Sequence, residues 1–243
     1  ERGRLNWNYT GLAKNKTGWF YVKNGKVDFS KTGLVYNAGN WFYVQNGFLN
    51  WKTNTLAQNG GVWYGVHNGY VDWSYSGIMR LGSSYYYVSN GILNWKYTGL
   101  AKNDTGWFYV KQGKVDFSKV GLVYNAGNWF WITNGFLNWN SNGVVPYAGK
   151  WFCVRNGRVD WSYNGLAVGT TGTWYIKNGQ VDFTYNGPAV LNGDEYIVYG
   201  GHASVKGTSI MGTSSTSVEQ MVKYYNAHAT YPAFYAGTDA PTI

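Results

Sequence analysis

Residues 19–30 read WFYVKNGKVDFS. Asn24-Gly25 divides two runs of aromatic and β-branched residues, a strong hairpin signal because both central residues of a type I′ turn need positive φ. Pairing outward from the turn sets Lys23 opposite Lys26, Val22 opposite Val27, Tyr21 opposite Asp28, Phe20 opposite Phe29 and Trp19 opposite Ser30. Opposed residues share a face and faces alternate along each strand. Phe20, Val22, Val27 and Phe29 therefore make one wholly apolar face, predicted to be core. Trp19, Tyr21, Lys23, Lys26, Asp28 and Ser30 make the other.

The same phrase returns throughout the chain. Its glycine falls at Gly3, Gly25, Gly47, Gly69, Gly91, Gly113, Gly135, Gly157, Gly179 and Gly201, every 22 residues without a slip. A second glycine follows eight residues after most of these, at Gly11, Gly33, Gly77, Gly99, Gly121, Gly143, Gly165 and Gly187, which predicts two turns per unit. The stretch from Gly11 to Trp51 is nearly rewritten from Gly99 to Trp139, four units later. A fixed period of this size marks a solenoid or propeller built from one supersecondary unit.

A lone two-stranded hairpin is marginal in water, so hairpins must stack through their apolar faces. The expectation is an all-β solenoid of about nine 22-residue β-hairpin repeats over residues 1–206. Leu12, Leu34, Leu56, Ile78, Leu100, Leu122, Val144 and Leu166, each in the place after the second glycine (Thr55 standing for it before Leu56), extend that core. A composition of 20% aromatic residues, 34 glycines and 4 prolines suits short strands and tight turns. No apolar run approaches the length of a membrane span, so none is predicted.

The second face carries the candidate chemistry. Aromatic faces attract cations and sugar rings. Trp19, Tyr21, Trp41, Tyr43, Trp63, Tyr85, Tyr87, Trp107, Tyr109, Trp129, Trp131 and Trp151 are therefore candidate ligand-binding rings, in pockets between hairpins. The competing reading is that they pack between successive hairpins and complete the core. Net charge is +9, and Lys23, Lys26, Lys111 and Lys114 sit at hairpin tips four units apart, as candidate contacts for an anionic polymer. Solubility alone also accounts for such tips. Nucleic acid is not predicted, because no binding motif accompanies the charge.

Asp28, Asp72, Asp116, Asp160 and Asp182 hold one structural place, with Asn50, Asn94 and Asn138 in alternate units. A catalytic pair needs two carboxylates in distinct environments, whereas equivalent positions offer equivalent ones. Their expected role is a cross-strand hydrogen bond, Tyr21 to Asp28 and its copies. His67, His202 and His228 lie far apart in the repeat lattice and Cys153 is the only cysteine. No catalytic residue, metal site, disulfide or cofactor is predicted, and the chain is not expected to be an enzyme.

The order glycine, spacer, WFYV, turn, polar-apolar strand and TGL resembles the choline-binding and glucan-binding repeat family of secreted bacterial surface proteins, over residues 1–206. That resemblance implies a β-hairpin solenoid with ligands at the junctions of consecutive hairpins, at a bacterial cell surface or secreted. It implies a cell-wall polymer, a teichoic-type polymer or a glucan as partner, and says nothing of oligomeric state. One departure stands out: the choline-binding pattern has Trp after the second glycine, where this chain has Leu12 and its counterparts, which removes one wall of the family's aromatic cage. Trp7, Trp51, Trp73, Trp95, Trp139 and Trp161 take the place of Phe29 and offer a replacement for that wall from another position, although in this register the place is core.

After Gly201 the repeat fades. Residues 207–243 read as a linker and helical tail, with a helix over 218–227 opened by Ser217 and Gln220 at capping-box spacing. The tail resembles the lead-in of a bacterial glucosaminidase-type domain, which implies a peptidoglycan hydrolase as parent. Glu1 opens in mid-repeat, which predicts a piece of a longer protein. The function expected is a non-catalytic module anchoring a bacterial surface or secreted protein to a cell wall or polysaccharide. The alternatives are a truncated glucosaminidase or autolysin whose catalytic part lies elsewhere, and an adhesin stalk.

Overall fold

The computed structural model describes residues 4–207, with side chains to 204. Every regular element among them is a β-strand, so no helix there is long and apolar enough to cross a membrane. The expected helix over 218–227 and the tail from 208 on lie outside the described residues. The chain divides into two compact units, residues up to 119 with 134–136, and residues 120–133 with those from 137 on.

One repeat of the first unit shows the local logic. Three strands follow one another: Gly99–Asn103, Gly106–Lys111 and the two-residue Lys114–Val115. The Gln112-Gly113 turn has positive φ at both residues, 49° and 75°. It sets Lys111 opposite Lys114 and Val110 opposite Val115, the register expected from the sequence. The same pairing holds at Val22↔Val27 and Lys23↔Lys26.

The principal hairpin is a different one. The long strand Gly106–Lys111 pairs over its whole length with the strand before it, Leu100 opposite Tyr109, Ala101 opposite Phe108 and Lys102 opposite Trp107. The second turn therefore lies not at the second glycine, which opens a strand, but between the two longer strands. In the repeat that begins at Gly33 it is Ala38-Gly39, with φ of 47° and 88°. The sequence reading passed over this turn because it took the long strand's partner to be the segment following it.

Consecutive hairpins are joined through the other edge of the long strand. In the first unit Phe20 pairs with Phe48, Phe42 with Tyr70, Tyr64 with Ile92, Tyr86 with Lys114 and Phe108 with Phe136. In the second, Phe130 pairs with Arg158, Phe152 with Gln180 and Trp174 with His202. The lattice glycine makes the junction: the Gly113 N–H donates to Tyr97 O at 2.9 Å and its carbonyl accepts from Tyr87 N at 2.8 Å. A Cβ built on Gly113 would stand 2.7 Å from Asn94 O and 2.8 Å from the Trp95 Cα. Period, positive φ and close backbone approach thus meet in one residue.

Small apolar clusters between neighbouring hairpins make the core. Leu12 packs with Val35, Val44 and Leu49, and Leu56 with Met79, Val88 and Leu93. In the second unit Val144 packs with Cys153, Ala167 and Ile176. Leu12, Leu34, Leu56, Ile78, Leu100, Leu122, Val144 and Leu166 are all buried, as expected.

Phe29 and its counterparts are not core. Phe29, Trp51, Trp73, Trp95 and Phe117 of the first unit are exposed, and so are Trp139, Trp161 and Phe183 of the second. The short strand lasts only two residues past the turn. Asp28 N still donates to Tyr21 O at 3.0 Å, but Ser30 N donates to Asp28 Oδ1 at 2.9 Å and Lys31 N to Asp28 O at 3.4 Å. Residues 28–31 therefore turn off the sheet before Phe29 can oppose Phe20. The Asp28 carboxylate caps this turn instead of bonding Tyr21, which corrects the expected cross-strand side-chain bond.

Candidate functional site

The turn after the short strand builds an outward-facing ring in each repeat. Asp at its first position accepts from the hydroxyl two residues on, at 2.6 Å in Asp28–Ser30, Asp72–Ser74, Asp116–Ser118, Asp160–Ser162 and Asp182–Thr184. Where the position is Asn, its Oδ1 accepts only the backbone N–H of Lys52, Lys96 or Asn140. Asp and Asn interchange because the turn needs one acceptor oxygen there, an Asx turn. The hydroxyl's hydrogen bond, aided by nearby lysine or arginine charge, holds the carboxyls of Asp116 and Asp160 below the usual value. These carboxylates are caps held ionised, not proton donors.

Each outward ring is braced at one side. In the first unit Trp51 stands T-shaped on Phe42 at 5.9 Å, Trp73 on Tyr64 at 5.9 Å, Trp95 on Tyr86 at 5.8 Å and Phe117 on Tyr85 at 5.9 Å. In the second, Trp139 stands on Phe130, Trp161 on Phe152 and Phe183 on Trp174, at 5.9, 5.7 and 5.7 Å. About half of each indole remains open, 46% for Trp51 and 52% for Trp95. A rigid, half-exposed ring offers stacking area with little conformational entropy left to lose. Strand alternation carried past the turn places these rings in the core, with a replacement for the missing cage wall as their other reading. The signal against the core placement is the D-x-S and N-W-K wording after the strand, which marks a turn instead of a continued ladder.

The twelve rings singled out from the sequence are all half-buried. Trp19 and Tyr21 pack against the Leu12 cluster, Trp41 and Tyr43 against Leu34, Trp63 against Leu56, and Tyr85 and Tyr87 against Ile78. Trp107 and Tyr109 sit on the same long strand as buried Phe108 and Val110. In the second unit Trp129 and Trp131 pack against the Leu122 cluster and Trp151 against Val144. Several carry a cover: Tyr97 stacks on Tyr87 at 4.0 Å, and the Nζ atoms of Lys31 and Lys119 lie over Tyr21 and Tyr109 at 5.9 and 5.5 Å.

Lys23, Lys26, Lys111 and Lys114 are exposed at the tips. Lys26 Nζ lies 5.5 Å from the Trp7 ring centre and Lys114 Nζ 6.0 Å from that of Tyr86, so two of the four already rest beside aromatic faces. Cys153 is buried, and burial pushes its thiol up to about 11, which leaves it protonated and unreactive at neutral pH.

Seven segments, residues 8–28, 30–50, 52–72, 96–116, 118–138, 140–160 and 162–182, match a family model described as choline-binding repeat, and together they cover more than half of the sequence. The chain belongs to the choline-binding repeat family. The outer rings Phe29, Trp51, Phe117, Trp139 and Trp161 are the single residues between consecutive choline-binding repeat segments. No curated protein matches the sequence. Similar solved structures include ASR alternansucrase in complex with isomaltononaose, 15% identical over 80% of this chain and 16% of that one, with a TM-score of 0.29. Another is the crystal structure of CbpF in complex with ipratropium, 19% identical over 78% of this chain and 58% of that one, with a TM-score of 0.26. The present chain thus spans less than two thirds of either protein's length.

Proposed function

We propose that this chain is a non-catalytic module that holds a bacterial surface or secreted protein on a cell-wall polymer or other polysaccharide. The observation that carries the proposal is the set of outer rings, Trp51, Trp73, Trp95 and Phe117 in the first unit and Trp139, Trp161 and Phe183 in the second, each braced by a second ring and open to solvent. Equivalent rings repeated every 22 residues suit a polymer of equivalent sugars, since weak stacking contacts add up along one ligand. In this proposal the inner rings, Trp19 to Tyr109 in the first unit and Trp129 to Trp151 in the second, add aromatic surface within each unit, and the tip lysines attract anionic wall polymers of the teichoic type. The lattice and the repeat match support a solenoid of stacked hairpins. The resemblance of the tail supports a peptidoglycan hydrolase as the parent.

The test is retention on purified peptidoglycan with and without its teichoic polymers, and on α-glucan beads. The variant is Trp51→Ala/Trp73→Ala/Trp95→Ala. Binding to at least one matrix is expected to fall by an order of magnitude while the variant stays folded at the assay temperature, its Tm falling by about 2–4 °C for each kcal/mol lost. Unchanged retention on every matrix would overturn the proposal.

A further inference from the structure

Three hairpin tips carry two like charges face to face. Lys23 stands opposite Lys26, Lys111 opposite Lys114 and Arg155 opposite Arg158 across their turns. Like charges directly opposite one another destabilise an antiparallel pair. The turn does not need them, because other repeats hold Gln45 and Phe48, His67 and Tyr70, Ser89 and Ile92, or Lys177 and Gln180 in the same places. A single cation at a tip would serve solubility. Two in register, on one face, are what an anion between them requires.

Two of the pairs line a cavity, at the same place in each unit. In the first unit it measures about 440 Å³, with Ser84, Lys111, Gln112, Lys114 and Asp116 in its lining. In the second it measures about 500 Å³, with Asn128, Arg155, Asn156, Arg158, Asp160 and Ser162. Ser84 and Asn128, the two cation pairs and the two aspartates correspond position for position, two repeats apart. Arg155 is held in place, its Nη1 3.7 Å from Asp160 Oδ2 and its guanidinium carbon 5.1 Å from the Tyr163 ring centre. Arg158 is exposed, and among the described residues its side chain makes no ion pair or hydrogen bond. The carboxylate of the lining, Asp160, already accepts from the Ser162 hydroxyl at 2.6 Å and from Ser162 N at 3.1 Å. Two guanidiniums to one carboxylate leave the lining one positive charge in excess.

We infer that Arg155 and Arg158 form a clamp for one phosphodiester group, with Lys111 and Lys114 as its weaker counterpart in the first unit. The inference rests on the anionic-polymer part of the proposed function and deepens it, assigning the ligand to opposed charges at a tip and not to a ring. A phosphodiester carries one negative charge on two unesterified oxygens, which matches two opposed cations and one positive charge in excess. A carboxylate's coplanar oxygens fit one guanidinium fork, whereas phosphate oxygens point apart and reach two. An ammonium group acts only as a point charge, which sets the arginine pair above the lysine pair. The Asn128 and Asn156 amides add neutral donors at the edge. A quaternary ammonium ion, the kind of ligand that aromatic faces attract, would meet two like charges here.

The experiment is an NMR titration of the full chain with dimethyl phosphate, galacturonate and tetramethylammonium as separate probes, at about 0.1 M salt, where the Debye length is about 10 Å. It follows the Gly157 amide, in the turn between the two arginines, and the arginine Nε–Hε signals. These are expected to move at severalfold lower concentrations of dimethyl phosphate than of galacturonate, and not to move with tetramethylammonium. Asp160→Asn keeps the turn acceptor that Asn94 and Asn138 provide in other repeats, so it is built to fold. By removing the competing charge it should tighten phosphate binding severalfold, an effect that a merely structural Asp160 would not produce. Arg155→Lys/Arg158→Lys keeps the charge, loses the forks and should weaken binding severalfold, with Tm recorded for every variant. No response to dimethyl phosphate, an equal response to galacturonate, a response to tetramethylammonium, weaker binding in Asp160→Asn or unchanged binding in the double lysine variant would each overturn the clamp. None of these outcomes touches retention on α-glucan beads through the outer rings, which tests the polysaccharide reading separately.

Discussion

Phe108 and Phe117 lie nine residues apart in one repeat and touch the same two rings. Phe108 is 4.9 Å from Phe136 and 6.2 Å from Tyr85, and Phe117 is 5.5 and 5.9 Å from them. Yet Phe108 is 3% exposed and Phe117 40%. Phe108 stands mid-ladder, with Ala101 opposite on one edge and Phe136 on the other. Phe117 stands in the Asp116–Ser118 turn, where the backbone has left the sheet. A single ring cluster is thus dry on one side and wet on the other, and what separates core from surface is the point at which strand pairing stops.

The largest effect expected is on the dry side. Phe108→Ala should cost about 3–5 kcal/mol, the usual range for emptying a buried aromatic site. Phe117→Ala should cost less, about 1–3 kcal/mol, because two aromatic pair contacts worth about 0.5–1.5 kcal/mol each are lost from a ring that is already partly in water. Urea unfolding of the two variants checks this, and equal losses would break the contrast. Next is Gly113→Ala, which forces an alanine into positive φ at about 1–2 kcal/mol and drives a Cβ onto the Asn94 carbonyl. Its midpoint should fall between those of the two phenylalanine variants.

A smaller effect tests the turn that carries Phe117. The Asp116 carboxyl titrates below its usual value, chiefly through the Ser118 hydroxyl. A carboxyl depressed in the folded state adds stability above its unfolded pKa, near 4, and loses it as pH falls through the folded value. Ser118→Ala should raise the Asp116 pKa towards the ordinary carboxylate range and flatten the acid limb of the stability curve. Carbon-detected NMR titration reads the shift directly, and an unmoved pKa would remove the hydroxyl from the account. The smallest effect on stability, close to none, is expected from changing Lys23, Lys26, Lys111 and Lys114 together to Gln. Retention on teichoic-bearing wall should nevertheless weaken severalfold at 0.1 M salt and not at 1 M, as the Debye length falls from about 10 Å to about 3 Å. Retention independent of both salt and lysines would leave a neutral glycan as the ligand.

The candidate rings were legible as residue types at a fixed period, but their division into half-buried and exposed sets was not. Trp19 and Tyr21 were assigned to an outer face and Phe29 to the core by carrying alternation past Val27. Alternation holds only while a ladder continues. The wording DFS, with a carboxylate two residues before a hydroxyl, already marked its end, and local turn chemistry outweighed the apolar pattern there.

The amino-acid sequence by itself determined the repeat and its local geometry: the Asn-Gly turns, the Val22↔Val27 register, the 22-residue lattice and the buried leucines after the second glycine. Those depend on positive φ and on side-chain alternation over a few residues, which the residues on the spot settle. Only the tertiary structure decided that Phe108 has Phe136 on its second edge, that Phe29 and Trp51 face solvent, and that Tyr97 stacks on Tyr87. Each of these depends on which neighbouring strand occupies an edge and which side chain of the next turn reaches back over a ring, relations set between hairpins and not within one.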